Sequence, residues 1–208
     1  MAFVTHLRYQ NFAFVEFECP YIFDVQPPSE QGECMKKSRL LIISLLLAPL
    51  LASAHNFQLQ QRVAPIGVSD KGELNYDNDK FSYKSWNSAQ LNGKVRVVQH
   101  IAGRTSAKDL NDPLIEAIKA AKLPHDRYQT TTIVNTDDAI IGTAMFVRNS
   151  IEDSKKTFPW SQFIVDSNGI VKKAWDLQPK GSAIVVLDQE GKIQFAKDGA
   201  LTPQEVQQ

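Results

Sequence analysis

An alternation of strand-like and helix-like segments between residues 95 and 196 constrains the fold of this chain more than any other feature. The run Val95 to Ala102 is rich in valine and isoleucine, which is typical of a central strand covered on both faces. Helical spacing follows over residues 106–122 and restarts at Asp112-Pro113, where proline suits a first helical position. The remaining predicted elements are a strand over 128–135, a helix over 143–156, and strands over 162–166, 182–187 and 192–196. Strands that alternate with helices and close in a hairpin predict an α/β fold with a mixed central sheet flanked by helices.

The segments on either side of this core are less regular. Residues 62–68 predict a short extended entry, and polar turn residues continue to Asp79. Residues 81–90 predict a helical turn that presents Phe81, Tyr83 and Trp86.

The carboxyl-terminal end carries a helix-start signal. Thr202-Pro203-Gln204-Glu205 has threonine as a cap, proline at the first helical position and glutamate two positions later. Because only three residues follow this signal, we expect a terminal helix that is truncated.

Residues 35–54 have the pattern of a secretory signal peptide. Lys36, Lys37 and Arg39 precede an apolar run from Leu40 to Leu51, and Ala52-Ser53-Ala54 fits a small-x-small cleavage site. The apolar run is shorter than the ~20 residues that span a bilayer. We therefore expect cleavage between Ala54 and His55, export to the periplasm, and no membrane span after cleavage.

This leader divides the chain into three parts. Residues 1–34 are interpreted as a mis-called start or a disordered extension, residues 35–54 as the signal peptide, and residues 55–208 as one folded domain. Both cysteines, Cys19 and Cys34, precede the cleavage site, so the mature chain is expected to contain no thiol and no disulfide.

The charge balance argues against one class of partner. The chain has 23 basic and 23 acidic residues and a formal net charge of zero. Such a balance lacks the basic surface that phosphate backbones require, so we expect no binding to nucleic acid.

Several segments resemble known secreted proteins. LNGKVRVV and SAIVVLDQEGKIQFAKDGAL resemble the strand entry and the closing hairpin of thioredoxin-like proteins. KFSYKSWNSAQL, GKVRVVQHIAGRTSAK, KLPHDRYQTTTIVNTDDAI and PWSQFIVDSNG resemble the YtfJ family of bacterial periplasmic proteins, over residues 35–208. The resemblance implies a thioredoxin-like fold and a periplasmic location, and it implies no particular activity.

The same resemblance indicates what this chain lacks. The reactive cysteines of thioredoxin-like oxidoreductases would fall near Thr105 and Lys108, and Gly181 or Ser182 stands where their cis-proline would be. Thiol–disulfide exchange needs a thiolate, which a threonine hydroxyl does not replace. The chain is therefore predicted to be redox-inactive and not to be a thiol–disulfide oxidoreductase.

The loop between the first predicted core strand and its helix is the main candidate site. A loop that enters a helix offers free backbone N–H groups, and basic and hydroxyl side chains add donors for an anion. The candidate ligand-binding residues are His100, Gly103, Arg104, Thr105, Ser106, Lys108, Asp137 and Asp138. The competing interpretation is structural: Thr105 or Ser106 caps the first helix, Arg104 pairs with an acid, and Asp137-Asp138 caps the next helix. Asp166-Ser167-Asn168-Gly169 is interpreted as a turn, because it lacks the downstream glutamate of a calcium loop.

Three functions remain open from the sequence. The first is a binding or accessory module for a small anion, a peptide or an envelope protein. The second is an enzyme with non-thiol hydrolytic or acid–base chemistry centred on residues 100–108, although no catalytic residue is assigned. The third is a holdase that works without thiols. No cofactor and no metal is expected.

Overall fold

The computed structural model describes residues 55–208, and these residues form one seven-stranded sheet with helices on its two faces. The strands are β1 Gly67–Asp77, β2 Lys80–Asn87, β3 Val95–Ala102, β4 Tyr128–Asn135, β5 Gln162–Asp166, β6 Ser182–Leu187 and β7 Ile193–Asp198. The helices are α1 Thr105–Asp109, α2 Asp112–Ala121, α3 Ala144–Thr157, α4 Ile170–Trp175 and α5 Pro203–Gln207. Among these residues, no helix is long and apolar enough to cross a membrane.

The sheet mixes parallel and antiparallel pairs. Its strand order is β2-β1-β5-β4-β3-β6-β7, with β3, β4 and β5 parallel and the other neighbours antiparallel. The parallel strands are linked by helices, because a parallel connection must cross back over the sheet. The predicted α/β fold with a mixed central sheet and flanking helices is confirmed.

Alternate side chains of β3 point to two different cores. Val98 belongs to the larger core, which is built around Trp86, Ile164 and Trp175. Ile101, three positions further along β3 and therefore on the opposite face, belongs to a smaller core that packs against α3. This alternation assigns each side chain of β3 to one face of the sheet.

The predictions of polar turn residues up to Asp79 and of a helical turn over residues 81–90 are wrong. The segment forms a β1–β2 hairpin, and only Ser88–Leu91 forms a single 3-10 turn. Asn78 and Asp79 turn the hairpin with positive φ angles of 49° and 59°, which the short polar side chains of Asn and Asp tolerate. Trp86 alternates with exposed neighbours in β2 and is 1% exposed, so it packs into the core from a strand.

The core elements agree with the sequence patterns. The strands over 128–135, 162–166 and 182–187 have the predicted bounds, and the predicted helix restart separates α1 from α2. Helix α4 was not predicted, because six residues are too few to show a helical repeat. The predicted capping box is present at α5, where Thr202 and Glu205 each bond to the other's backbone N–H.

Candidate functional site

The carboxyl ends of the three parallel strands meet in one row. Ala102 of β3 pairs with Asn135 of β4, and Asn135 pairs with Asp166 of β5. The loops that follow are joined by backbone hydrogen bonds: Gly103 N–H donates to the Asn135 carbonyl at 2.8 Å, and Thr136 N–H donates to the Asp166 carbonyl at 2.9 Å. Most of the predicted candidate residues therefore lie along one edge of the sheet.

Asp138 is the electrostatic centre of this edge. Its carboxylate accepts hydrogen bonds from Lys172 Nζ at 2.8 Å, from the Lys180 backbone N–H at 3.0 Å and from Asn135 Nδ2 at 3.1 Å. Burial by itself raises the pKa of Asp138, but the bonds from Lys172 and Lys180 and the charges of Lys172 and Arg104 outweigh burial, so the pKa lies below its usual range. The carboxylate is thus ionised and fully engaged at neutral pH.

His100 is buried beneath this cluster. It is 4% exposed in β3, and its Nε2 atom has no hydrogen-bond partner among residues 55–208. Burial lowers the pKa of His100 to about 4. The charge of Asp138 raises this pKa by a smaller amount, and the charge of Lys172 lowers it further. The imidazole is therefore neutral at physiological pH.

The proposed helix cap at Thr105 or Ser106 is wrong. Arg104 is the N-cap residue of α1, and no side chain caps this helix. The Arg104 guanidinium donates through Nε to the Asp138 backbone carbonyl at 2.9 Å and does not form the expected pair with an acid. Because α1 has only five residues, its N-terminus by itself gives little support to an anion site.

The predicted role of Asp137-Asp138 as a helix cap is also wrong. Thr143 is the N-cap residue of α3.

Within residues 55–208 there is no group of three or more His, Cys, Asp or Glu side chains that could hold a metal ion. Asp166 accepts the backbone N–H groups of Asn168, Ile170 and Val171, which confirms the predicted turn and places a carboxylate at the start of α4.

A groove of about 1050 Å³ lies over β3 and β4, between α2 and α3. Its floor is the sheet, where the polar residues Gln99 of β3 and Thr130 and Thr132 of β4 lie beside the apolar residues Ile101, Val134 and Phe163. Its walls are largely apolar and include Ile115 and Ile118 of α2, Phe146 and Val147 of α3, and Phe158. The groove exists because α2 is amphipathic but has no buried residue, so its apolar face lines open space and does not close onto the sheet.

Aromatic side chains line the far end of the groove. His125 stacks on Trp160 with ring centroids 4.4 Å apart, and Phe158 meets the edge of Trp160 at 5.6 Å. Tyr128 bonds to the Thr130 hydroxyl at 3.1 Å, and burial raises the pKa of Tyr128 despite that bond. Tyr128 therefore remains a neutral phenol in the groove.

The structure divides the predicted candidate residues into two groups. Gly103, Arg104, Thr105 and Lys108 line one end of the groove. His100, Ser106, Asp137 and Asp138 do not line it, and the cluster that contains His100 and Asp138 is a separate feature.

The polar floor was missed by the sequence analysis. Gln99, Thr130 and Thr132 fall in segments that were correctly predicted as strands. The composition of β4 could have indicated this floor. Central strands covered on both faces are typically aliphatic, whereas YQTTTIVN carries three consecutive threonines.

Comparisons with known proteins identify relatives along most of the chain. Residues 57–208 match the family model described as "Bacterial protein of unknown function (YtfJ_HI0045)". The "Uncharacterized protein YtfJ" of Escherichia coli strain K12 is 67% identical over 174 residues, which cover 84% of this chain and 95% of that protein. An uncharacterized protein of Haemophilus influenzae is 44% identical, covering 83% of this chain and 94% of that protein.

Solved structures share the general arrangement at low identity. The thioredoxin domain of a thiol-disulfide oxidoreductase from Bacteroides vulgatus is 14% identical, with a TM-score of 0.46 over 72% of this chain and 93% of that domain. At this level of similarity no activity is transferred to the present chain.

Proposed function

The chain belongs to the YtfJ family of bacterial proteins, and from this premise we propose that it is an exported binding module on a thiol-free, thioredoxin-like scaffold. The ligand site is the groove between α2 and α3. The observation that carries the proposal is a groove of about 1050 Å³ with apolar walls and a few polar groups on its floor. This combination is typical of ligand sites, which range from roughly 300 to 1,000 Å³.

The groove favours binding over catalysis. At the carboxyl end of β3 the groove is lined by side chains that are hydrogen-bond donors or cations, namely Arg104, Thr105 and Lys108. The competing proposal of an acid–base enzyme needs His100 beside the substrate. His100 does not line the groove, because it lies on the same face of β3 as Val98, which is the face of the larger core.

Export would leave the chain without the thiols that redox chemistry needs. Cleavage after Ala54 would remove Cys19 and Cys34 together with the leader. A chain that begins at His55 contains no cysteine, so it has no thiolate for disulfide exchange. The periplasmic location and the redox inactivity are parts of this one proposal.

The groove is tested with 8-anilinonaphthalene-1-sulfonate, an anionic aromatic amphiphile whose fluorescence reports binding. Ser150 is exposed on α3 and lines the groove, so Ser150→Trp should fill the space without disturbing the core. Asn149→Trp is the matched control, because Asn149 is exposed on the same helix and does not line the groove.

We expect saturable binding by the unmodified protein and by Asn149→Trp, and at least a tenfold loss in Ser150→Trp. Equal binding by the two tryptophan variants, or no binding at millimolar probe, would contradict the proposal. Thermal melting of both variants checks that the fold is intact.

A further inference from the structure

The floor of the groove carries polar groups that lack partners. Gln99 is only 5% exposed, and its side-chain amide makes no hydrogen bond to any of residues 55–208. The Thr132 hydroxyl, also on the floor, likewise has no partner among these residues. A dry buried amide without a partner costs about 1–3 kcal/mol. An occupant that covers the floor must therefore supply donors and acceptors, which a hydrocarbon chain does not have.

The strands set the length of the floor. The lining residues of β4 run from Tyr128 to Val134. The six steps between these seven residues, at about 3.3 Å each, give a floor of about 20 Å. An extended peptide of about six residues has this length.

The walls suit the side chains of such a peptide. Ile115 and Ile118 of α2 face the groove on one side, and Phe146 and Val147 of α3 face it on the other. Successive side chains of an extended chain point in opposite directions, so a bound strand can present apolar groups to both walls while its amides meet the floor. Phe146 is 73% exposed, so this wall is open to a ligand.

Cations outnumber carboxylates among the residues that line the groove. Four cations line the groove, Arg104, Lys108, Lys119 and Lys122, against two carboxylates, Asp112 and Glu116. Glu116 is paired with Lys119 at 2.7 Å. Lys108 has no ion-pair partner among residues 55–208 and lies at the same end of the groove as Arg104. This end is suited to a carboxylate.

From these four features we infer that the groove binds a short extended peptide of about six residues whose free carboxyl terminus lies beside Arg104 and Lys108. The inference rests on the proposed binding function and adds the chemical class of the ligand. Main-chain amides of the peptide pair with Gln99 and Thr132, and its apolar side chains contact α2 and α3.

The test uses the full-length protein and three defined probes. The first is an equimolar mixture of acetylated hexapeptides, randomised over Ala, Val, Leu, Phe, Ser and Gln, with a free carboxyl terminus. The second is the same mixture made as carboxamides, and the third is palmitate. Trp160 is the readout, because it lines the groove and is 44% exposed whereas Trp86 and Trp175 are buried.

Two variants identify the contacts. Gln99→Leu removes the unpaired amide and puts an apolar side chain in its place, a change that should not weaken the fold. Gln58→Leu is the matched control, because Gln58 is exposed, does not line the groove, and has a side-chain amide that makes no hydrogen bond to any of residues 55–208. Lys108→Ala removes the unpaired cation, with Lys173→Ala as its control outside the groove.

We expect the carboxylate mixture to bind about tenfold more tightly than the carboxamides, and both Gln99→Leu and Lys108→Ala to weaken it by a similar factor. The two control variants should bind like the unmodified protein. Tighter binding of palmitate than of peptide, or a gain of affinity in Gln99→Leu, would overturn the peptide assignment. Failure of all peptides while the sulfonate probe still binds would also overturn it but leave the binding function standing, whereas failure of every probe would remove both.

Discussion

The carboxylate of Asp138 lies 2.8 Å from the ammonium group of Lys172, and the two side chains are only 11% and 15% exposed. The pair joins the loop after β4 to helix α4, two segments that are 34 positions apart in the sequence. Because Asp138 also accepts bonds from Lys180 and Asn135, it fixes the carboxyl edge of the sheet at which one end of the groove begins.

Removing the charge of Asp138 should destabilise the fold. We expect Asp138→Asn to lower the free energy of unfolding by about 2 kcal/mol, because Lys172 is left mostly buried without its counter-charge. Urea denaturation measures the change. The control is Glu116→Ala, which breaks an exposed pair with Lys119 and should cost no more than about 0.5 kcal/mol. Equal losses in the two variants would contradict a structural role for the buried pair.

Stability should fall on mild acidification because of His100. Its folded pKa is about 4, against an ordinary value of 6.5, so between these values the unfolded chain binds a proton that the folded protein does not. Stability is therefore complete above pH 6.5 and declines toward pH 4, by about 2 kcal/mol from pH 7 to pH 5. The pKa of Asp138 is lowered below 3.8, so its contribution is lost only as the pH falls further.

This pH dependence is assigned with His100→Phe, which cannot take up a proton. Urea unfolding at pH 7 and pH 5 should show a clearly smaller decrease for the variant than for the unmodified protein. The same decrease in both proteins would assign the effect to other groups.

Asn111 should be necessary for joining the α1–α2 junction to the carboxyl-terminal hairpin. Its buried Nδ2 donates to Ser182 Oγ at 3.0 Å and to the Gly199 carbonyl at 3.2 Å, and its Oδ1 accepts the Leu201 N–H at 2.9 Å. Asn111→Ala leaves these three groups without their partner, so we expect a loss of about 2–3 kcal/mol in urea unfolding.

The matched control for this variant is Asn149→Ala, because Asn149 is exposed on α3. A surface change of this kind should alter stability by less than about 0.5 kcal/mol. If Asn111→Ala also fell within that limit, the junction would not depend on this side chain.

Export should produce a chain that begins at His55. Intact-mass measurement on the periplasmic fraction should give residues 55–208, and thiol titration of that product should detect no free cysteine. Ala54→Asp should block processing, because the residue before the cleaved bond must be small, whereas Ser53→Asp at the tolerant middle position should not. A processed product from Ala54→Asp, or a functional chain that retains Cys19 or Cys34, would refute the assigned cleavage site.

The regular core was predictable because its signals are local. The apolar runs over β3, β5 and β6 and the restart at Asp112-Pro113 depend on neighbours in the sequence, so their bounds were found without a structure. The β1–β2 hairpin was not found, because β2 alternates one buried tryptophan with polar residues and its pairing with β1 supplies the missing signal. Helix α4 was too short to show its repeat.

The site was only partly predictable, because only some of its features have a local signal in the sequence. The sequence by itself determined the alternation of strands and helices, the capping box at Thr202 and the position of both cysteines before residue 55. Only the tertiary structure decided that His100 points into a core while Gln99, its neighbour, points into the groove, and that Lys172 neutralises Asp138. Strand and helix signals depend on spacing along the chain, whereas a groove and an ion pair depend on which distant segments come together, and that is set by the packing of the whole sheet.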